Sequence, residues 1–241
     1  GFLSAPGVAV SDPQVGGGLV HAGTTSGIPN AMQAQAELST AITNLGSLGP
    51  GTLLAADLAG LTLAPGVYTV AAGTSNLSGT LTLDGQGNAN AAWVFQMPDT
   101  LITSPNSVVN LINTGSGAGI FWNVGSSATL DTNTTFLGNI LALTSITLNT
   151  SATDLCGRML ADTGAVTLDQ NTLSHTCADP LSGTDGLSGG LDVITTAAGT
   201  TEVVFLPYAP LGGTGGGTVP EPTMAVLAGL GLAGLGLSRR R

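Results

Sequence analysis

Between residues 120 and 177 one pattern of apolar and polar positions occurs three times in succession. The copies are IFWNVGSSATLDTNTTFLGN (120–139), ILALTSITLNTSATDLCGR (140–158) and MLADTGAVTLDQNTLSHTC (159–177). Each holds an apolar run, a piece alternating around a Thr-Leu pair, and a polar piece rich in Thr, Ser and Asn. The Thr of that pair recurs upstream, giving a file of Thr62, Thr82, Thr100, Thr129, Thr147 and Thr167 at intervals of 20, 18, 29, 18 and 20 residues. A period near 20 is the mark of a solenoid, in which each repeat covers its neighbour's apolar face. Alternation at period two within each copy makes the unit strand-like, so the expected fold is mainly β, a parallel β-helix. The interval of 29 predicts one rung with an extra loop at 106–119.

The remaining elements follow from departures from this period. Residues 31–45 carry Ala31, Ala34, Leu38, Ala41, Ile42 and Leu45 at helical spacing, with Asn30 suited to the N-cap and Gly46 to the position after the helix. This one long helix must bury its stripe against the most apolar face, formed by Trp93, Phe95, Met97, Ile120, Trp122, Val124, Ile140, Leu141 and Leu143. Strands apolar on nearly every residue are those covered on both sides. Residues 1–27, short apolar pieces between Pro and Gly, read as an irregular solenoid turn. Residues 192–207 predict a hairpin over the last rung within a 178–210 extension, and the Gly-rich 211–218 a linker.

On the second face, alternation points Leu83, Leu101, Leu130, Leu148 and Leu168 inward and the file Thr82, Thr100, Thr129, Thr147 and Thr167 outward. Thr80, Ser127, Ser145 and Ala165 flank that file on the outside. Asp84, Asp131, Asn149 and Asp169 follow at the turns, where such side chains bond local backbone. The last three, taken as a column, lack the dense acidic loop that calcium needs. A rival outward surface holds Thr132, Thr134, Thr150 and Thr153.

Composition narrows the partners. The chain has no lysine, and its four basic residues are Arg158 and the terminal Arg239, Arg240 and Arg241. Ahead of Val219, thirteen acidic residues face a single arginine, so neither nucleic acid nor anionic lipid is an expected partner of the solenoid. Only 7% of residues are charged, so hydroxyls and amides must cover the surface, while 42% hydrophobic content argues against disorder. Cys156 and Cys177 stand about one rung apart, and neighbouring rungs bring equivalent positions to about 5 Å, which suits a disulfide in an exported protein. Two Cys with the distant His21 fall short of a metal site. The acids are scattered and neither His21 nor His175 has a partner in sequence, so no enzyme of the glycan-cleaving β-helix kind is expected. No cofactor is expected either, and the protein is expected to be a monomer.

At the C-terminus, Val219-Pro220-Glu221-Pro222 precedes an apolar run at 224–237 and then Arg239-Arg240-Arg241. The three parts in this order resemble the PEP-CTERM sorting signal of Gram-negative bacteria (219–241). That resemblance implies transient insertion of the tail into the inner membrane, processing by an exosortase-type enzyme, and a secreted or cell-surface protein. The run is short for a membrane span.

The blocks AQAELSTAI (34–42), LAGLTLAPGVYT (58–69), GTLTLDGQGNANAAWVFQM (79–97), IFWNVGSSATL (120–130), LGNILALTSITLNTSAT (137–153) and GRMLADTGAVTLDQNTL (157–173) resemble the large microbial ice-binding protein family. The resemblance covers 1–176 and implies an irregular β-solenoid of triangular section with one long helix alongside, the domain spanning 1–177. It also implies a further solenoid segment ahead of Gly1, so the chain that begins with Gly reads as processed or as a fragment. In that family a flat face of small and hydroxyl side chains meets ice. By position this points to Thr80, Thr82, Thr100, Ser127, Thr129, Ser145, Thr147, Ala165 and Thr167, within segments such as 144–147 and 163–167. The expected function is ice binding by adsorption, with an extracellular surface or biofilm adhesin lacking ice affinity as the alternative.

Overall fold

The computed structural model describes residues 31–211 apart from Ala198, with Ala31 and Met32 described by backbone alone. The expected solenoid turn at 1–27 and the tail beyond 211 lie outside the described residues. The helix α1 (Ala31–Gly46) falls where its stripe predicts. Strands then wind through six rungs. Rung one holds β1 (Thr52–Leu54) and β2 (Thr62–Leu63), and rung two holds β3 (Gly66–Val70) and β4 (Thr80–Asn88). Rung three holds β5 (Ala92–Met97), β6 (Leu101–Ile102) and β7 (Val108–Thr114). Rung four holds β8 (Gly119–Val124), β9 (Ala128–Leu130) and the first half of β10 (Thr135–Ala142). The rest of β10, β11 (Ile146–Leu148) and the start of β12 (Thr153–Ala161) make rung five. Rung six holds the rest of β12, β13 (Val166–Leu168) and β14 (Thr172–Leu173).

Parallel pairing between rungs gives three faces. The helix face is β1-β3-β5-β8-β10-β12, and the four-stranded face is β6-β9-β11-β13. The third face is β2-β4-β7-β10-β12-β14. β10 serves two faces because it bends at a register break between Phe136 and Gly138, where a φ of +106° at Gly138 is one only glycine adopts readily.

Two expectations are corrected. Residues 106–119 are no extra loop, since they contain β7, which pairs Val108 with Thr80 and with Thr135. That rung is long because β4 and β7 extend together to an Asn88–Thr114 pair. The hairpin forms as β15 (Leu191–Thr195) and β16 (Thr201–Phe205), antiparallel. It does not close rung six: β16 lies against α1, and Leu191 packs with Leu45, Val94 and Leu141 of the helix layer.

The interior is a column of side chains stacked rung on rung. Tyr68, Phe95 and Trp122 occupy paired positions, and Phe136 closes the series against Trp122. Leu81, Leu83, Leu101, Leu130 and Leu148 are buried as alternation predicts, whereas Leu168 is 38% exposed because rung six has no described rung beyond it. Outward residues of the helix face (Val94, Phe121, Leu141) receive Leu38, Ala41, Ile42 and Leu45 of α1. Their inward neighbours Trp93, Phe95, Met97, Ile120, Trp122, Val124 and Ile140 fill the core, and Leu143 is exposed. Ala34 is exposed as well. Gln35 turns in instead, donating to Asp162 Oδ1 at 2.9 Å.

α1 runs against the order of the rungs. Its first turns meet Asp162 in rung six, through Gln35 and Ser39, and its last carbonyls reach rungs four and three. There Asn123 Nδ2 donates to Ile42 O and Gln96 Nε2 to Leu45 O, both at 3.0 Å. The amide of Gln96 thereby satisfies a carbonyl of the last helical turn, which has no partner within the helix, and that of Asn123 adds a second bond one turn earlier.

Candidate functional site

The four-stranded face presents two outward files in register. One is Ile102–Thr129–Thr147–Thr167, from the pairings of β6, β9, β11 and β13. Stepping one residue back along each strand passes an inward position (Leu101, Ala128, Ile146, Val166), and a second step gives the other file, Thr100–Ser127–Ser145–Ala165. Rungs about 4.8 Å apart set the spacing along each file, and alternate residues about 6.6 Å apart set it across the strands. No charged side chain belongs to either file. Within the files the side-chain hydrogen bond is from Ser145 N–H to Ser127 Oγ at 3.3 Å, and the Thr hydroxyls have no hydrogen-bond partner among the described residues.

This arrangement divides the nine residues singled out from the sequence. Thr100, Ser127, Thr129, Ser145, Thr147, Ala165 and Thr167 share the four-stranded face. Thr80 and Thr82 do not, because β4 pairs with β2 and β7 on the third face, Thr82 beside Thr62 and Asn110. The single Thr file of the sequence is therefore two files on two faces. Thr100 moreover stands in the file of Ser127, one position out of step with Thr129. Ile102, missed from the sequence, takes the place beside Thr129. Aligning the apolar runs would have found it: Trp93 and Ile120 pair across 27 residues, and the same offset joins Thr100 to Ser127.

The rival surface also changes. Thr134 is buried and shares a 2.8 Å hydrogen bond with Thr103, while Thr132 and Thr150 sit in the corner turns. Only Thr153 faces outward on a sheet there, in a file of Thr80, Val108, Thr135, Thr153 and Thr172. That file is interrupted by Val108 and flanked by exposed Ile112 and Leu155.

The corner beside the four-stranded face is a ladder of carboxylates and amides. Asp131 Oδ1 accepts from Asn149 Nδ2 at 2.9 Å and from Thr132 N–H at 2.7 Å. Thr150 Oγ1 donates to the Asp169 carboxylate, and Asn171 Nδ2 to Asn149 O at 2.9 Å. The bond from Asn149, with that from Thr132, holds the Asp131 carboxyl below its ordinary value. Residues Asn106, Asn133, Ser151 and Gln170 stack at this corner with φ between 55° and 62°, the left-handed conformation that lets each rung turn. Asp84, grouped with this column in the sequence, instead accepts from Gln86 N–H and Asn113 Nδ2 on the third face.

Cys156 and Cys177 form a disulfide with Cα atoms 4.8 Å apart, joining β12 to the chain beyond β14.

The described residues thus form a helix-flanked solenoid with an uncharged, hydroxyl-bearing face. The profile described as Ice-binding-like matches residues 1–174. The chain belongs to the ice-binding-like family. A second profile, the PEP-CTERM protein-sorting motif, matches residues 218–241. The chain is 51% identical over 148 residues to an ice-binding protein of Nostoc sp. (strain HG1), covering 61% of this chain and 54% of that protein. It is 36% identical over 119 residues to ice-binding protein 1 of Shewanella frigidimarina (strain NCIMB 400), covering 49% of this chain and 13% of the other. The crystal structure of an ice-binding protein from the Antarctic ascomycete Antarctomyces psychrotrophicus superposes with a TM-score of 0.57 at 40% identity, over 61% of this chain and 72% of that one. This member of the ice-binding-like family thus spans about half the length of its Nostoc relative, and it shares the β-helix fold of its solved neighbours.

Proposed function

We propose that the protein binds ice by adsorption through the four-stranded face, using Thr100, Ile102, Ser127, Thr129, Ser145, Thr147, Ala165 and Thr167. The observation that carries this reading is the register of Thr129, Thr147 and Thr167 on three successive rungs with a second file of small residues beside them. A pleated, rigid sheet repeats each methyl and hydroxyl at fixed intervals. Water between the methyls, anchored by hydroxyls, can then take a lattice-like arrangement before contact with the crystal. Charged groups would impose shells of a different geometry, and these files contain none. Adsorbed molecules pin the advancing front, so the expected consequences are a freezing gap and inhibited recrystallisation. Adsorption of this kind needs no acid–base pair, cofactor or metal, and the reading is non-enzymatic.

The C-terminal motif supports export from a Gram-negative bacterium, transient insertion of 224–237 in the inner membrane and processing by an exosortase-type enzyme. The product is a monomer that is secreted or held at the cell surface. Thermal hysteresis and crystal shape in a freezing droplet test the reading. Faceted crystals with a freezing gap support it. Round, freely growing crystals from folded protein overturn it in favour of a surface adhesin without ice affinity.

A further inference from the structure

After Cys177 the chain reverses and runs back along one edge of the solenoid, where the third face meets the helix face. Its course is fixed at successive rungs. Arg158, the one arginine among the described residues, donates from Nη2 to Asp185 Oδ1 at 3.1 Å and from Nη1 to Asp185 O at 3.0 Å. Buried Asn139 donates from Nδ2 to Leu187 O at 2.9 Å, and Ile120 N–H donates to the same carbonyl at 2.9 Å. Leu187 itself is fully buried. Gly119 and Gly189 pass so close that a Cβ on Gly119 would strike the Gly189 carbonyl. Lower down, Ala89 N–H donates to Ala209 O at 2.6 Å and Leu211 N–H to Gly87 O at 3.0 Å. The strap therefore begins at rung six, clamped by the disulfide and Arg158, and reaches Leu211, the last described residue, beside β4 of rung two.

In a three-sided solenoid, the edge between the helix face and the third face lies opposite the four-stranded face. We propose that the strap sets the orientation in which this protein is displayed. It delivers the C-terminal sorting tail to the edge opposite the four-stranded face, so that a chain held through its tail turns that face outward, toward an extended solid surface. The identity of that surface as ice rests on the function proposed above; the orientation does not.

Two observations carry the proposal beyond the route of the strap. The helix face is covered by α1 and the β15–β16 hairpin, and the strap's Pro180 and Leu181 approach Leu111 and Ile112 at the margin of the third face. The outward files of the four-stranded face make no side-chain hydrogen bond to another segment among the described residues. Reach is the second. The twelve residues 212–223 lie ahead of the apolar run, and a Gly-rich chain of that length has a root-mean-square span of about 20 Å. Passing round a face as wide as the nine-residue β4 takes roughly 30 Å. A tether of that rest length favours the strap edge, not the four-stranded face, as the side next to the anchoring surface.

The test couples the full chain to beads through Gly217→Cys, the native cysteines being paired, and reads oxidation by hydroxyl radicals against the free chain. Tyr208, 64% exposed on the strap side, reports one edge, and the methionine of Ile102→Met reports the opposite face. Coupling is expected to slow oxidation at Tyr208 several-fold and leave the reporter at Ile102→Met unchanged. Equal rates at both, or protection at Ile102→Met, overturn the proposal. A parallel assay asks whether beads carrying Gly217→Cys are held by a growing ice front. Beads rejected by ice whose crystals the free chain does shape also overturn the orientation. If the free chain leaves crystals round, the ice reading falls, and the footprint alone still decides the orientation.

Discussion

Phe95 and Trp122 stack inside the solenoid with ring centroids 4.0 Å apart and planes 11° from parallel. They hold the same register position on rungs three and four, and Tyr68 below and Phe136 above extend the stack at 5.7 Å and 5.0 Å. The indole N–H of Trp122 also donates to Leu137 O at 3.1 Å, tying the stack to the bent strand β10.

Removing the centre of this stack should cost more than any outward substitution. Trp122→Ala leaves a cavity and an unpaired carbonyl, and a loss of about 3–5 kcal/mol is expected from large-to-small core changes. Urea denaturation followed by circular dichroism measures it. A loss under about 1 kcal/mol would mean that rung-to-rung aromatic packing is not a main source of stability.

The proposed face can be mapped by bulk. Thr147→Tyr places a ring in the middle of the file Thr129–Thr147–Thr167 and should reduce thermal hysteresis several-fold at an unchanged melting temperature. Thr82→Tyr and Thr153→Tyr, both on the third face, should leave hysteresis close to that of the native chain. The reverse result moves the binding surface to the third face.

Stability should depend on pH through Asp154. Its Oδ2 has no hydrogen-bond partner among the described residues, and burial pushes the carboxyl well above its ordinary value of 3.8. The native chain keeps this proton while the unfolded chain releases it near 3.8, so the native state binds more protons and this group's contribution falls as pH rises through that window. Below 3.8 both states are protonated and no penalty remains. Asp154→Asn should therefore be more stable than the native chain at neutral pH and match it near about pH 3. Melting temperatures of both proteins across that range check this, and parallel curves would show that Asp154 is ionised in the fold.

On the acid side the trend opposes it. Asp57, Asp84 and Asp131 are held below 3.8, chiefly by Ser78, the Gln86 N–H and Asn149 respectively. Their contribution is present above 3.8 and is lost as pH falls through the lowered values. Asp131→Asn should flatten the acid limb of the curve, read as melting temperature between about pH 2 and 5.

The Cys156–Cys177 bond closes a loop with a sequence separation of 21, for which chain-entropy reasoning gives about 3 kcal/mol. The double substitution Cys156→Ser with Cys177→Ser should lower the urea midpoint accordingly. Because the strap starts at Cys177, proteolytic cleavage after Arg158 should also become faster in the double variant.

Much of this architecture was legible along the chain. Period two separates inside from outside in any strand, so Leu130 and Leu148 were assignable to the core and Thr129 and Thr147 to the surface without coordinates. The helical stripe ending at Leu45 and the one-rung spacing of the two cysteines are equally local signals. Rungs four to six, nearly equal in length, also kept their register in the sequence, which is why Ser127, Ser145 and Ala165 fell in one file.

What the sequence could not decide is where unequal rungs align. A Thr-Leu pair looks the same on any face, and Thr82 resembles Thr129 locally although it belongs to a different sheet. The offset of 27 between Trp93 and Ile120 is set by the closed path of the whole rung, including the long β7, and that path alone places Ile102 beside Thr129. The strap had no period at all, because its backbone pairs with corners rather than with a ladder. Its position comes from single contacts such as Arg158 with Asp185 and Asn139 with Leu187, made between residues 27 and 48 apart in sequence. Periodic burial is written locally, residue against residue, whereas register between unequal turns and the route of an aperiodic segment are fixed only when the solenoid closes on itself.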